Sequence, residues 1–546
     1  MALTQVSKTY LTMIDLKKEN GDENTTVELL GYYEPYDGGG GIFYWDNSSS
    51  ANDNMGTIIE AKAVTGRWLR VYHDLIHVKW FGAKGSGDPT DDDTTSINAA
   101  VKYCVPLGLH LKFDNGDYQI SGAIEIPSGK GWTISGASKG ATTITQITDG
   151  KPIFNFLRTT TQKFKIHNLN LTWKNDQKFQ TESSAFLFTF TTKTEDGHEA
   201  SWGIYNFEIF DIAIMYAYRC FSNKNGMNLW GWNIHDINAE DTYGSFMNLD
   251  NRKTVGGEPT GGSPNCTLRN IYFKRNTEPN DSSYQSFNES LIRTNCVDTW
   301  LLEGLEFNKM ALGSASLIEV LDGQNIIIKA VRCEEVRQIL NRALIEITTA
   351  NCTIEGFLVQ TLRVAPQKTT WAVRTIAAAT VSCKNITYKG AVITDPDPDP
   401  NTHNTFAHYV FNCGQNQLRS MEGTKTQSGV YLYYGSGPNL NVDAPHAVRT
   451  LTNPTLISLA GVRYVDVSVS TPTTGNTFTI PNPILGASNV LYFFTIRNLT
   501  SANLSLTWGN QFKLTGEIPF LDSGDIKSVG VHYDGTFFTI LNLAMV

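Results

Sequence analysis

FEIFDIAI from Phe207, WNIHDINA from Trp232, CTLRNIYF from Cys266 and WLLEGLEF from Trp300 share one eight-residue pattern. It reads apolar, x, apolar, x, then Asn, Asp, Gly or Ala, then apolar, x, apolar. The pattern starts earlier, with WTISGASK from Trp132 (imperfect at its end) and FKIHNLNL from Phe164. It runs on through IIIKAVRC from Ile326, CTIEGFLV from Cys352 and VSCKNITY from Val381. Successive starts are 32, 43, 25, 34, 34, 26, 26 and 29 residues apart. The short separations define the bare repeat, and the longer ones carry loops.

Apolar residues at positions one and three, with an outward residue between them, have strand periodicity. Position five holds types that tolerate a left-handed backbone, so the chain bends there and positions six to eight begin a second strand. A third apolar stretch precedes several copies: SLIRT from Ser290, SLIEV from Ser316, ALIEI from Ala343 and WAVRT from Trp371. Three short strands per repeat describe a solenoid whose turns stack about 4.8 Å apart over one core. The fixed Leu and Asn spacing of leucine-rich repeats is absent. The crossover rule for parallel strands gives a right-handed coil. The expected fold is therefore all-β, a right-handed parallel β-helix.

Composition agrees. The 546 residues include 46 Gly, with 11% aromatic and only 18% charged side chains, as in an all-β chain rich in tight turns. A net charge of −9 argues against nucleic acid as a partner. No apolar run is long enough to span a membrane, and the first residues lack a signal-peptide core. The eight cysteines form no C-x-x-C pair and no zinc spacing. Several fall on apolar repeat positions, as small buried hydrophobes do. No cofactor and no metal site is expected.

Ahead of the repeat lies WFGAKGSGDPTDDDTTSINAAV, Trp80 to Val101. It resembles the signature that opens many β-helices of the pectate-lyase-like superfamily, phage tailspike depolymerases among them. The match runs through Gly82, Ala83, Lys84, Gly85, Asp92, Asp93, Thr94, Ile97 and Ala100. Read from the residues alone, Asp93 is an N-cap, and Ile97, Ala100, Val101, Cys104 and Val105 form the apolar stripe of a helix that closes the solenoid. The three aspartates are assigned to capping and turns. Upstream, YDGGGGIFYWDNSSSANDNMGTIIEAKAVTGRWLRV is similar to the head module of tailspike-like chains, with strands near Gly41 to Trp45, Thr57 to Ala61 and Trp68 to Tyr72. The Asp-Pro run from Asp395 to Pro400 reads as a surface loop. From about Gln427 the period fades into hairpin-like strands, expected to form a C-terminal β-sandwich. The divisions are 1–78 for the head, 79–426 for the β-helix and 427–546 for a sandwich that trimerises the chain or binds sugar.

On a solenoid, function lies in outward columns. Position four gives His167, Phe210, His235, Arg269, Glu303, Lys329, Glu355 and Lys384; the preceding strand gives Leu187, Ser222, Asn248, Arg293, Glu319, Glu346 and Arg374. In the second column Glu319 and Glu346 stand on successive rungs between arginines. Paired carboxylates are the equipment of glycoside hydrolysis, and repulsion between them separates an acid from a base. Long insertions at 174–184, 191–201, 251–264 and 276–288 could wall a groove. Asp241 and Asp250 there are further catalytic candidates, and Trp230, Tyr243 and Glu258 are candidates for substrate contact. Arg293, Arg374 and His235 complete the expected binding set, and could also neutralise a uronate in a lyase.

The resemblance implies a virion tailspike that binds and hydrolyses capsular or lipopolysaccharide glycan of a bacterial surface. It further implies a homotrimer mounted on the tail or baseplate through its head. A polysaccharide lyase of the same fold, or a fibre that only adheres, are the alternatives.

Overall fold

In the computed structural model residues 6–541 are described except for short internal stretches, the longest being 277–285, 395–406, 423–429, 434–447 and 515–525. The chain forms two compact units, 1–340 with 360–363 and 341–359 with 364–546.

The first unit opens with four antiparallel strands in the order Thr26–Leu29, Gly41–Asp46, Arg67–Arg70, Ile58–Glu60, with Lys8–Tyr10 added in parallel at the edge. Val27, Leu29, Phe43, Trp45, Ile59 and Trp68 make its core. Arg70 is buried between the rings of Phe43 and Trp80, each 4.5 Å away. It donates to the carbonyls of Gly56, Gly40 and Gly39 at 2.9, 2.6 and 2.9 Å. Three carbonyls and two ring faces stand in for a carboxylate and clip the head to Trp80.

A parallel β-helix comes next. Leu75–His77, His110–Lys112 and Thr133–Ser135 start a stack continued by the first halves of Lys165–Trp173, Glu208–Met215, Asn233–Glu240, Ser263–Lys274 and Val297–Asn308. The register sets Ile209 beside Ile234, and Leu268 beside Leu302 beside Ile328. Position five bends as expected, with φ of 61° at Asn168, 52° at Asp211, 57° at Asp236, 53° at Asn270, 65° at Gly304 and 49° at Ala330. Two further left-handed corners recur along the coils, though not in every one. One lies just before the repeat (Lys163, Asn206, Gly231, Asn265, Thr299, Asn325), the other just after it (Tyr216, Asp241, Lys309, Glu335). Inside, like stacks on like. The ring of Phe164 lies 4.3 Å from Trp132 and 5.0 Å from Phe207, nearly parallel to both. The seven described cysteines are buried and free.

The helix Thr94–Leu107 closes the first coil, with Ile97, Ala100, Val101, Cys104 and Val105 fully buried. Its cap differs from expectation. Asp93 makes no side-chain bond to the helix. Its carboxylate instead accepts the amides of Lys84 at 2.6 Å and Gly85 at 3.1 Å, while Asp92 accepts the amide of Thr94 at 3.0 Å. The signature is thus a knot of turns, tied by a buried carboxylate. Burial pushes the Asp93 carboxyl up, and the two amides only partly restore it. A raised folded-state value makes this group's contribution greatest in acid, below the ordinary aspartate range, and lost as pH rises through the folded value. Asp93→Asn, which keeps an acceptor for one of the two amides and sets its NH2 against the other, is expected to lower the thermal midpoint less than Asp93→Ala does. Asp93→Ala, which strands buried amides, should cost about 1–3 kcal/mol. Equal losses in the two variants would contradict this account.

In the second unit, Ala343–Val364 pairs in parallel with Thr369–Thr375, which pairs with Ala407–Asn412 and that with Val430–Tyr433. The Asp-Pro run lies outside the described residues. Further on, one core holds Val465, Val467, Phe478, Ile480, Phe494, Ile496, Leu504 and Val531. Its strands depart from the hairpins expected. Val448–Thr452, Tyr464–Val469 and Val490–Asn498 are parallel, as are Thr477–Ile480 and Ser505–Trp508. Partners such as Tyr464 with Phe493 lie about one coil apart in sequence. Antiparallel pairing enters only with Ile526–Tyr533 and Phe538–Leu541 among the described residues. Parallel partners that share a core leave no hairpin signature, because their turns are not tight. Among the described residues no helix is long and apolar enough to cross a membrane.

Candidate functional site

The outward column Leu187, Ser222, Asn248, Arg293, Glu319 has the expected register, rung upon rung, in the first unit. Beside its Asn248 rung a second carboxylate joins it. Glu289 lies just before the strand Ile292–Thr294. Arg219 Nε donates to both Glu289 oxygens at 3.1 Å, and Arg219 Nη2 to Oε2 at 2.9 Å. Asn248 Nδ2 donates to the same Oε2 at 2.9 Å. One residue on, the Ser290 hydroxyl donates to Glu319 Oε2 at 2.8 Å, and Arg293 Nε stands 3.3 Å from that oxygen. Two glutamates thus flank the Asn248 and Arg293 rungs, each held by its own cation. A Cβ on Gly244 would come within 2.4 Å of Glu289 Oε1 and 2.7 Å of the Tyr218 ring, so only glycine leaves room for both. Burial pushes the Tyr218 phenol up, and the Glu289 charge adds to this.

The insertion at 174–184 lies alongside. Arg219 Nη1 donates to the Thr181 carbonyl at 2.9 Å, and Lys224 pairs with Glu182 at 2.9 Å. Phe179 in this loop is 79% exposed. An exposed ring, two carboxylates and two guanidinium groups are what a sugar polymer needs: a face for C–H stacking, acid–base groups, and donors to hydroxyls.

The other expected residues have settings of their own. Glu346 and Arg374 belong to the second unit, where Glu346 is 2% exposed. Its Oε1 lies 2.8 Å from Arg342 and its Oε2 3.6 Å from Arg374. A carboxylate so enclosed and so paired has the setting of a structural ion pair. Asp241 occupies a left-handed corner and accepts the Asn276 amide at 2.8 Å. Tyr243 is buried beneath Arg275, 4.6 Å from its ring, and so does not form a wall. His235 lies on a different strand stack from Arg293. Its Nδ1 is 2.6 Å from Asp236 and its Nε2 3.1 Å from Glu208, and its ring stacks on Phe210 at 5.1 Å. Ring faces used in a ladder are closed to sugar. Trp230 is exposed, on yet another stack, edge-on to Tyr205 at 5.3 Å. Asp250 lies outside the described residues, as does the Glu258 side chain. Among the described residues no group of three His, Cys, Asp or Glu could hold a metal.

Glu289, Arg219, Tyr218 and Phe179 were not legible as site residues. Phe179 lies in an insertion and Glu289 just after one, both outside any repeat position. A carboxylate immediately before a column strand was the one available signal.

The chain is similar to several phage proteins. A capsule K2-specific depolymerase of Klebsiella phage vB_KpnP_KpV74 is 30% identical over 118 residues, 21% of this chain and 20% of the depolymerase. The match thus spans about a fifth of that relative's length. Among solved structures, the tailspike of Acinetobacter phage vb_AbaP_AS12 aligns over 98% of this chain and 90% of its own, at 11% identity and a TM-score of 0.47. Tailspike protein 2 of bacteriophage CBA120 aligns over 98% of this chain and 79% of its own, at 11% identity and a TM-score of 0.45. Residues 9–73, which contain the antiparallel sheet of the head, match the phage tail protein small four-stranded beta-sheet domain.

Proposed function

We propose that the protein is a tailspike-like depolymerase that binds a bacterial surface polysaccharide along its β-helix and hydrolyses it at Glu289 and Glu319. The observation that carries this reading is the pair of glutamates at the Asn248 and Arg293 rungs, with Arg219, the cation of Glu289, also bonded to the loop that carries the exposed Phe179. The partial match to a capsule depolymerase supports the substrate class, and the tail-domain match at 9–73 supports attachment to a virion tail through the head. Glu289, oriented by four nitrogen–oxygen contacts, suits the base or nucleophile, whose line of attack must be fixed. Glu319, whose Oε2 accepts the Ser290 hydroxyl and faces Arg293, suits the acid that turns toward the glycosidic oxygen. Whether the outcome is retention or inversion depends on the carboxyl separation in the sugar complex. Incubation with a panel of bacterial capsular polysaccharides tests the reading. New reducing ends without unsaturated uronate absorbance are expected. Unsaturated products would replace hydrolysis by elimination, and no products with any polymer would leave an adhesin.

We further propose a homotrimer, in which residues 427–546 lock three solenoids in register. A rigid flank of stacked strands gains from closed cyclic packing. Sedimentation at micromolar concentration should give three times the chain mass, and truncation after 426 should weaken the assembly. A monomer would overturn it.

A further inference from the structure

The third strand stack of the first unit carries an aromatic pair outside the site of Glu289 and Glu319. Gly129–Lys130, Thr160–Gln162, Gly203–Tyr205 and Asn228–Trp230 pair in parallel, and their register aligns Lys130, Gln162, Tyr205 and Trp230 in one outward column. Trp230 is 44% exposed. Its ring centre lies 5.3 Å from that of Tyr205, with the two planes crossing at 61°. Gly203, two residues before Tyr205, makes room for this arrangement. A Cβ there would overlap the Tyr205 hydroxyl oxygen, so the tyrosine ring lies back along its own strand over a glycine. Trp230 stands beside it, turned to water.

The column runs on past the rings. The Gly231 amide, next to Trp230, donates to the Pro264 carbonyl at 3.0 Å. Pro264 aligns with Asp298, and Asp298 with Gln324. From Gln162 to Gln324 the column therefore offers two rings, two side-chain amides, one carboxylate and no cation. Such a strip gives an uncharged sugar a face for C–H stacking and partners for its hydroxyls, but gives a sugar carboxylate no counter-ion. Lys130 lies three rungs from Trp230, about 14 Å away along the stack.

The coils on either side are built up at this place. Strands Ser184–Thr189, Arg219–Lys224 and Met247–Leu249 belong to three successive coils. The first is followed by the antiparallel pair Thr192–Glu195 with His198–Ser201, and the third by Lys253–Val255 with Glu258–Thr260. Each pair leads straight into the next strand, at Gly203 and Ser263. On the middle coil only three residues join Lys224 to Asn228. Trp230 thus belongs to the coil without an insertion, between two that have one. A narrow polymer reaches such a position more readily than the broad flank of a second solenoid does.

We propose that the Tyr205–Trp230 pair is a second polysaccharide-binding site, taking an uncharged hexopyranose segment on a different strand stack from Glu289 and Glu319. The Trp230 ring takes the C–H face of one sugar. Gln162 and Asp298, two rungs to either side, meet hydroxyls of its neighbours along the polymer. The proposal rests on the reading that the protein binds polysaccharide, but not on cleavage. A second foothold away from the cutting site raises residence on the polymer by effective concentration.

The test is a titration of the full-length protein with cellotriose, maltotriose and trigalacturonate, followed by saturation-transfer NMR. Saturable binding of a neutral trisaccharide is expected, with trigalacturonate bound more weakly. Trp230→Ala should weaken the neutral sugar about tenfold, the scale of one lost aromatic face. Trp230→Phe, which keeps a smaller ring, should weaken it by less, and Gly203→Ala, which displaces the Tyr205 ring, should weaken it too. Phe179→Ala, beside the Glu289 site, should leave it intact, and sedimentation of Trp230→Ala should match the wild type. No saturable binding, tighter binding of trigalacturonate, wild-type binding by Trp230→Ala, or loss in Phe179→Ala instead would each overturn the proposal. So would a smaller assembly in Trp230→Ala, which would make the pair an interface between copies of the chain. If Trp230-dependent binding is found while no polysaccharide is cleaved, the foothold stands and the depolymerase reading fails.

Discussion

Replacing Glu319 by glutamine is expected to slow polysaccharide cleavage by two or more orders of magnitude, on the scale of general acid–base catalysis, with binding of the polymer retained. Glutamine keeps the length of the side chain and an acceptor for the Ser290 hydroxyl, 2.8 Å away in the wild type, but cannot deliver a proton. Glu289→Gln should fall at least as far, because it also loosens Arg219 and Asn248, whose nitrogens converge on that carboxylate. The two losses should be far from additive, as for groups that act in one step. Reducing-end formation under saturating polymer measures the rate, and retention on immobilised polymer measures binding. Wild-type cleavage by both variants would remove these glutamates from the chemistry. Glu346→Gln gives the contrast. Glu346 is buried between Arg342 and Arg374, so its loss should appear in the stability of the second unit and not as a selective loss of turnover.

The largest structural effect is expected from Ile328→Asp. Ile328 is fully buried beside Leu302 on the neighbouring rung. An aspartate there has no partner, and removing a lone carboxylate from water costs several kcal/mol per ion even after relaxation. That is a large fraction of the roughly 5–15 kcal/mol that typically holds a domain. The variant should accumulate as insoluble chain. Ile327→Asp, one residue away and 41% exposed, should fold. Ile354→Asp repeats the test in the second unit, where Ile354 is also fully buried. Soluble, native Ile328→Asp protein would sink the coil register itself.

Much of the fold could be read in the chain because a solenoid is local. Each inward residue meets the same position one repeat later, so apolar alternation from Trp132 to Val381 and Asn or Asp at position five carry nearly all the information. The left-handed corners at Asn168, Asp211, Asp236 and Asn270 fall where that pattern put them, and so do the column neighbours Asn248, Arg293 and Glu319. The other corners carry no such signal. Lys163, Thr299, Lys309 and Glu335 adopt the same backbone without being residue types that announce it. Tertiary packing holds them there against a cost of roughly 1–2 kcal/mol each.

The sequence by itself determined the strand periodicity, the capping helix, three of the head strands and the identity of the outward columns, since each depends on a local pattern along the chain. Only the tertiary structure decided which column residues face solvent. It buried Glu346 and Tyr243, turned Asp93 away from its helix toward Lys84 and Gly85, and closed the face of His235 against Phe210. It also brought Glu289 and the 174–184 loop, both outside the repeat, to Arg219 and the Asn248 rung. Those meetings join segments tens of residues apart, from Thr181 through Arg219 to Glu289. No period records them, because an insertion is free in length and only the stacked core determines where it returns.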